Sequence, residues 1–264
     1  MKTHQLFWTA LIVLLPLTAF AQRTFTTPGQ AAEAFASAVR TQNEAALTEM
    51  LGENWRQVLP PEGVDPQAVA RFNRDWAIGH TVESENGSAH ISVGKNGWRL
   101  PIPVIKTEAG WQFDMHGAAD EILTRTLGRN ELSAIEAMHA YVAAQQDYYM
   151  LNHAYAQKLI SSAGKKDGLY WPVSPGETPS PLGPDFSPGQ PGLGYHGYHF
   201  RILSTPGDTT ALIAWPVVYG QTGITTFMVD KADRVWQTDF GRQTTEKVRA
   251  IKRFAPDDKW LAVQ

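Results

Sequence analysis

The apolar positions of this chain change period several times, and each change marks a change of element. From Thr27 the spacing is helical. Ala31, Ala34, Phe35, Ala38 and Val39 share one face, with Thr27 at a capping position and Pro28 at the first helical one. A short helix is expected over Glu44 to Leu51, ended by Gly52, and a third from Asp65-Pro66, carrying Val69, Phe72 and Trp76. The period then falls to two. Ala89, Ile91 and Val93 alternate with Ser88, His90 and Ser92 between Asn86-Gly87 and Asn96-Gly97. Both Asn-Gly pairs predict two-residue hairpins, in which both central positions take positive φ. Trp98, Leu100, Ile102 and Val104 continue the alternation, followed by Trp111, Phe113 and Met115, so the segment reads as a meander with one apolar face. Pro101 and Pro103 delete two amide donors on the same edge, where pairing must break or face solvent.

Helical spacing returns with Asn130 as the expected cap. Leu132, Ile135, Met138 and Val142 form one stripe, and Tyr141, Tyr148 and Tyr155 recur every seven residues, a pattern of packing seams. From Ser161 to Gly197 the chain is rich in proline and glycine yet also aromatic, which predicts an ordered loop. Four strands are then expected, in YHFRIL, TALIAWPVV, GITTFMV and RVWQTDF, with ALIAW apolar on both faces and therefore interior. A helix from Thr244 to Phe254 is expected to close the fold.

The first 21 residues place the protein outside the cytoplasm. Lys2 and His4 precede an apolar run, Leu6 to Leu17, and Ala19-Phe20-Ala21 supplies the small-x-small pattern cut by signal peptidase, with cleavage after Ala21. The run is too short for a comfortable permanent anchor, so no stable membrane insertion is expected after cleavage. With Lys2 removed, 22 basic residues face 26 acidic ones without a basic block, which argues against nucleic acid as a partner. The chain contains no cysteine, which excludes disulfides, thiolate metal sites and a cysteine nucleophile.

The candidate chemistry is sparse. GYHGYHFRIL carries His196 and His199 three residues apart. On a helix they would converge on one metal, but Gly194, Gly197 and the alternation Tyr198, Phe200, Ile202 predict a strand, where they point to opposite faces. No metal and no cofactor is therefore expected. Asp114 and His116, with Asp120 and Glu121 nearby, read either as a His–carboxylate acid–base pair or as an acid-rich helix start. Glu136 and His139 make a single Glu-x-x-His step, short of the two such steps and two further glutamates of a di-iron bundle. There is no G-x-S-x-G elbow, H-E-x-x-H pair, phosphate-binding loop or dinucleotide fingerprint. Tyr170, Trp171, Tyr195, His196, Tyr198 and His199 are the candidate binding residues. They either line a groove for an envelope protein, peptide or glycan, or seal the loop onto the second sheet.

GWRLPIPVIKTEAGWQFD, GKKDGLYWPVSPGETPSPLGP, GYHGYHFRIL and ALIAWPVVYGQTGITTFMVD together resemble bacterial domain-of-unknown-function family 2950. The resemblance runs from Phe25 to Trp260. It implies a secreted or periplasmic bacterial protein and brings no activity with it. Against it, the stretches from Tyr149 to Ala156 and from Leu203 to Ala211 are short. The expected fold is α+β: an N-terminal unit (22–128) similar to cystatin-like cones, a connecting helix (129–160), the ordered loop (161–197), and a C-terminal four-stranded antiparallel sheet with its closing helix (198–264), similar to pilin-type heads. Such likenesses of fold do not license function. The leading expectation is a non-enzymatic exported binding protein, and the alternative is a small-molecule enzyme using Asp114 and His116 at a cone-shaped pocket.

Overall fold

A computed structural model describes residues 22–59, 64–183, 194–203 and 209–263, so the expected leader peptide, residues 1–21, lies outside the described residues. The fold is mixed, with helices and two antiparallel sheets. The chain divides into two compact units, with the boundary between Ala119 and Asp120.

The first unit begins with α1 (Pro28–Arg40), where Thr27 accepts the Gln30 N–H, and α2 (Glu44–Leu51), capped by Asn43. A 3-10 turn at Trp55–Val58 leads to α3 (Pro66–Ile78), capped by Asp65. These short polar caps satisfy N–H groups that a helix start leaves unpaired. The sheet follows: β1 (His80–Glu85), β2 (Ser88–Val93), β3 (Trp98–Arg99), β4 (Val104–Thr107) and β5 (Gly110–Phe113). The order is β1-β2-β4-β5, with β3 also on β2. Asn86 and Gly87 both take positive φ, as their hairpin requires, and Glu85 pairs with Ser88. The second Asn-Gly pair behaves differently. Val93 pairs with Trp98, so Gly94 to Gly97 form a four-residue loop in which Gly94 and Gly97, not Asn96, take positive φ.

The two prolines act on the register. Ser92 pairs with Arg99 and Ser88 with Ile105, so both short strands lie along β2 with two extra residues between them. Leu100 and Ile102 are buried within that interruption, so a run in which Pro101 and Pro103 cannot donate contributes packing instead. Ala89, Ile91, Val93, Val104 and Phe113 face the core, where the Phe35 and Phe113 rings lie 5.3 Å apart.

Helix α4 (Met115–Asn152) is 38 residues long and starts fifteen residues before the expected cap at Asn130. Asp114 opens it, with Oδ1 accepting the His116 and Gly117 N–H groups, each at 3.1 Å. Asn130, the expected cap, lies inside the helix, as do Gly117 and Gly128. The buried stripe also differs from the expected one: Ala134, Met138, Tyr141, Gln145 and Tyr148 are buried, and Leu132 is 65% exposed. Tyr155 lies beyond the helix end.

In the second unit the sheet has five strands rather than four: β6 (Tyr198–Leu203), β7 (Ala211–Pro216), β8 (Thr226–Asp230), β9 (Val235–Thr238) and the terminal β10 (Leu261–Ala262), in the order β10-β9-β8-β7-β6. β7 is interior, as its apolar character on both faces requires. Tyr198, Leu212, Ala214, Phe227, Val229 and Val235 pack with the buried stripe of α4 on one face. Leu203, Ala211, Ile213 and Met228 pack with Val248 and Trp260 on the other. The closing helix α5 stops early, at Thr244–Ala250. Arg201 donates to the Val248 and Ile251 carbonyls, both at 2.8 Å, satisfying acceptors at that helix end.

Gln145 fixes the return of the chain after α4. Its Nε2 donates to the Ala156 carbonyl at 2.8 Å and to the Tyr141 hydroxyl at 3.0 Å, while its Oε1 accepts the Ala156 N–H at 2.9 Å. Tyr141 in turn meets the Thr210 hydroxyl and donates to the Ala211 carbonyl. Burial pushes the Tyr141 phenol up to about 12. Gln145→Leu is expected to cost about 1–3 kcal/mol for each Ala156 backbone group left unpaired, read by urea denaturation. Faster amide exchange between Ala156 and Tyr170 is the accompanying signature.

Candidate functional site

Two regions bear the sequence-predicted residues, one in each unit. In the second unit the Pro/Gly-rich loop is described through Gly183 and again from Gly194, and residues 184–193 lie outside the described residues. Ile160 bridges to Tyr170, Ser161 donates to the Tyr170 carbonyl, and Leu182 donates to the Leu169 carbonyl. The Asp167 carboxylate gathers the Lys158 ammonium at 2.7 Å together with the Ser162 N–H and hydroxyl. The Lys158 contact, then the Ser162 N–H, hold its pKa well below the usual carboxylate range. Trp171 is 7% exposed and packs with Leu169 and Leu182 in the core that includes Tyr148. Tyr170, half-buried, packs against the same cluster.

GYHGYHF folds as a tight hairpin. Tyr195 and Tyr198 exchange both backbone hydrogen bonds, at 2.8 and 3.0 Å, around His196 (φ 46°) and Gly197 (φ 74°). His196 is exposed at the turn, beside the Tyr195 ring at 4.3 Å. Tyr198 is fully buried, and its hydroxyl donates to the Thr225 carbonyl at 2.9 Å. Burial, then the nearby Glu131 carboxylate, raises its pKa. Asn130 and Glu131 of α4 hold the loop opposite: Asn130 Nδ2 donates to the Thr222 carbonyl, and Glu131 Oε1 accepts the Ile224 and Thr225 N–H groups. His199 sits half-buried beside the Trp215 ring, 5.4 Å away, on the face opposite Tyr198. The two histidines diverge. Tyr198 and Trp171 belong to the core, so the outward groups of this region are Tyr170, Tyr195, His196 and, in part, His199.

In the first unit, Asp114 and His116 are separated by the helix start. The Asp114 carboxylate is turned to backbone N–H groups, while His116 is exposed on the first turn of α4. There it joins the rim of an open cavity of about 360 Å³. Leu51, Trp55, Val58, Met115 and Ala119 supply apolar surface, and Glu53, Asn54, Gln57 and His116 supply polar groups. Trp55 Nε1 donates to the Thr48 hydroxyl at 3.2 Å, and the Arg56 guanidinium lies 4.5 Å from the Trp55 ring centre. Gln57 Nε2 donates to Asn54 Oδ1 at 3.2 Å. The sequence pointed to His116 as a pocket residue but not to the Trp55 side, because the 3-10 turn has no periodic signature. Its available signal was Asn54-Trp55-Arg56-Gln57 immediately after the stop at Gly52.

Residues 22–263 match the family described as "Protein of unknown function (DUF2950)". The chain belongs to that family. No curated protein and no solved structure matches it.

For this DUF2950 chain the remaining acidic and histidine candidates lie at the surface. Glu121 pairs with Arg125 at 2.7 Å one helical turn on, Asp120 and Glu136 are exposed, and His139 Nδ1 meets Asp233 Oδ1 at 2.7 Å. Such exposed pairs contribute little to stability.

Two outcomes test the placement of the aromatic residues. Trp171→Ala is expected to lower unfolding free energy by about 3–5 kcal/mol, because it empties a core position. Burial lowers the His199 pKa below its ordinary value of 6.5. The folded state therefore binds fewer protons than the unfolded one, and the stability associated with neutral His199 is present above that value and lost as pH falls below it. Wild-type melting temperature should fall more steeply on acidification below pH 6.5 than that of His199→Gln.

Proposed function

We propose that this protein is an exported, non-enzymatic component of the bacterial cell envelope that binds a neutral sugar residue of an envelope glycan in the cavity beside Trp55. The cavity carries the reading. Its apolar floor suits the C–H face of a sugar ring, while Asn54, Gln57, Glu53 and His116 offer donors and acceptors for hydroxyls. Among the described residues that line it there is no lysine or arginine, so its chemistry suits an uncharged ligand better than a phosphate. Export is supported by the Leu6–Leu17 run and Ala19-Phe20-Ala21. Among the described residues no helix is long and apolar enough to cross a membrane.

The second reading, an acid–base enzyme, is favoured by His116 at the same rim. Against it stands Asp114, whose Oδ1 is engaged by the helix start and which does not line the cavity. Titrating isotopically labelled protein with N,N′-diacetylchitobiose and with maltose decides the matter. Saturable shifts are expected at the Trp55 indole N–H and at His116, with a Kd of ~1 mM for at least one sugar. Gln57→Ala should weaken that binding about tenfold, or ~1.4 kcal/mol, without changing the melting temperature. Shifts absent from these residues for both sugars would overturn the proposal, and turnover abolished by His116→Ala would install the enzyme reading in its place.

A further inference from the structure

Beside the sugar cavity, the side chain of Gln22 joins two elements that come from distant parts of the chain. Its Nε2 donates to the Met50 carbonyl at 2.6 Å and to the Phe113 carbonyl at 2.7 Å, so both amide hydrogens are engaged. Met50 is in the last turn of α2, where carbonyls have no partner within the helix. Phe113 ends β5, next to Asp114 at the start of α4. The next residues are held as firmly: Arg23 donates to the Glu49 carbonyl at 2.8 Å, and Phe25 exchanges two backbone bonds with Trp111 at 2.7 and 2.8 Å. Leu51 and Met115, which follow the two acceptor positions closely in sequence, belong to the cavity wall.

We infer that the fold protects Gln22 from cyclisation to pyroglutamate and thereby keeps its staple between α2 and β5. The inference rests on the export reading, in which cleavage after Ala21 makes Gln22 the first residue. An amino-terminal glutamine is prone to close on itself. Its α-amine nitrogen attacks Cδ, the bond from Cδ to Nε2 breaks, and ammonia leaves with no oxidant or cofactor required. The resulting lactam has no primary amide to offer Met50 and Phe113. In the folded chain the carboxamide is directed to those two carbonyls, and ring closure requires both hydrogen bonds to open first.

The test compares protein starting at Gln22 with a synthetic peptide of residues 22–31, both incubated at neutral pH and followed by intact mass. Folded protein should lose ammonia at least about tenfold more slowly than the peptide, since closure must wait for local opening. Guanidinium unfolding should raise the rate to that of the peptide. Phe25→Pro, which removes the N–H donated to the Trp111 carbonyl, should raise it part of the way. Equal rates in folded protein and peptide would overturn the inference. Amino-terminal sequencing of the exported protein checks the export reading separately. If export yields another terminus, a chain cut in vitro to begin at Gln22 still decides whether the fold protects this residue.

Discussion

A fully buried glutamine in the middle of a helix is expensive unless every polar atom on it is used. Gln145 uses both ends of its amide, and what it satisfies is the backbone of Ala156, just past the end of α4. That pairing reproduces the two-way exchange between strands, with a side chain in place of one strand. It fixes where the chain turns back after α4, and the loop packing of Leu169, Trp171 and Leu182 follows from that starting point. Tyr141 extends the same network to Thr210 and Ala211 at the start of β7. Helix, loop and sheet of the second unit are thus joined by a buried polar chain running through a mainly apolar core.

The first unit solves its alignment with backbone rather than a buried polar chain. Prolines at 101 and 103 interrupt a run that would otherwise pair along all of β2, and the interruption buries Leu100 and Ile102. The short caps at Thr27, Asn43, Asp65 and Asp114 start four helices with local oxygen acceptors. Asp114 also explains why the sequence is ambiguous there. An aspartate two residues before a histidine looks the same whether it holds a proton-transfer partner or a helix end, and only the direction of its carboxylate separates the two.

Legibility in the sequence followed the range of the forces involved. Elements set by local periodicity and capping, such as α1 to α3, β2 and β6 to β9, could be read because their signals lie within a few residues. The start of α4 could not, because Asn130 imitates a helix cap although the helix runs through it. Asn130 serves the Thr222 carbonyl, a partner that no local pattern reveals. β10 is two residues long and exists through its pairing with β9. The aromatic content of the loop was legible, and its folding back onto the core was not. The inward direction of Trp171 and Tyr198 depended on a core built from α4 and the sheet together. The Trp55 side of the cavity stayed hidden for the same reason, since the cavity walls are far apart in sequence.

Asn130 and Glu131 engage the β7–β8 connection, and Gln145 engages Ala156, from points on α4 separated by close to a whole number of turns at 3.6 residues per turn. Adding or deleting one residue between them would rotate one attachment away from the other by more than a quarter of a turn. The span from Asn130 to Gln145 therefore behaves as a ruler of fixed length. Changes in chain length have to be absorbed beyond its ends, in connections whose residues carry no such phase relation.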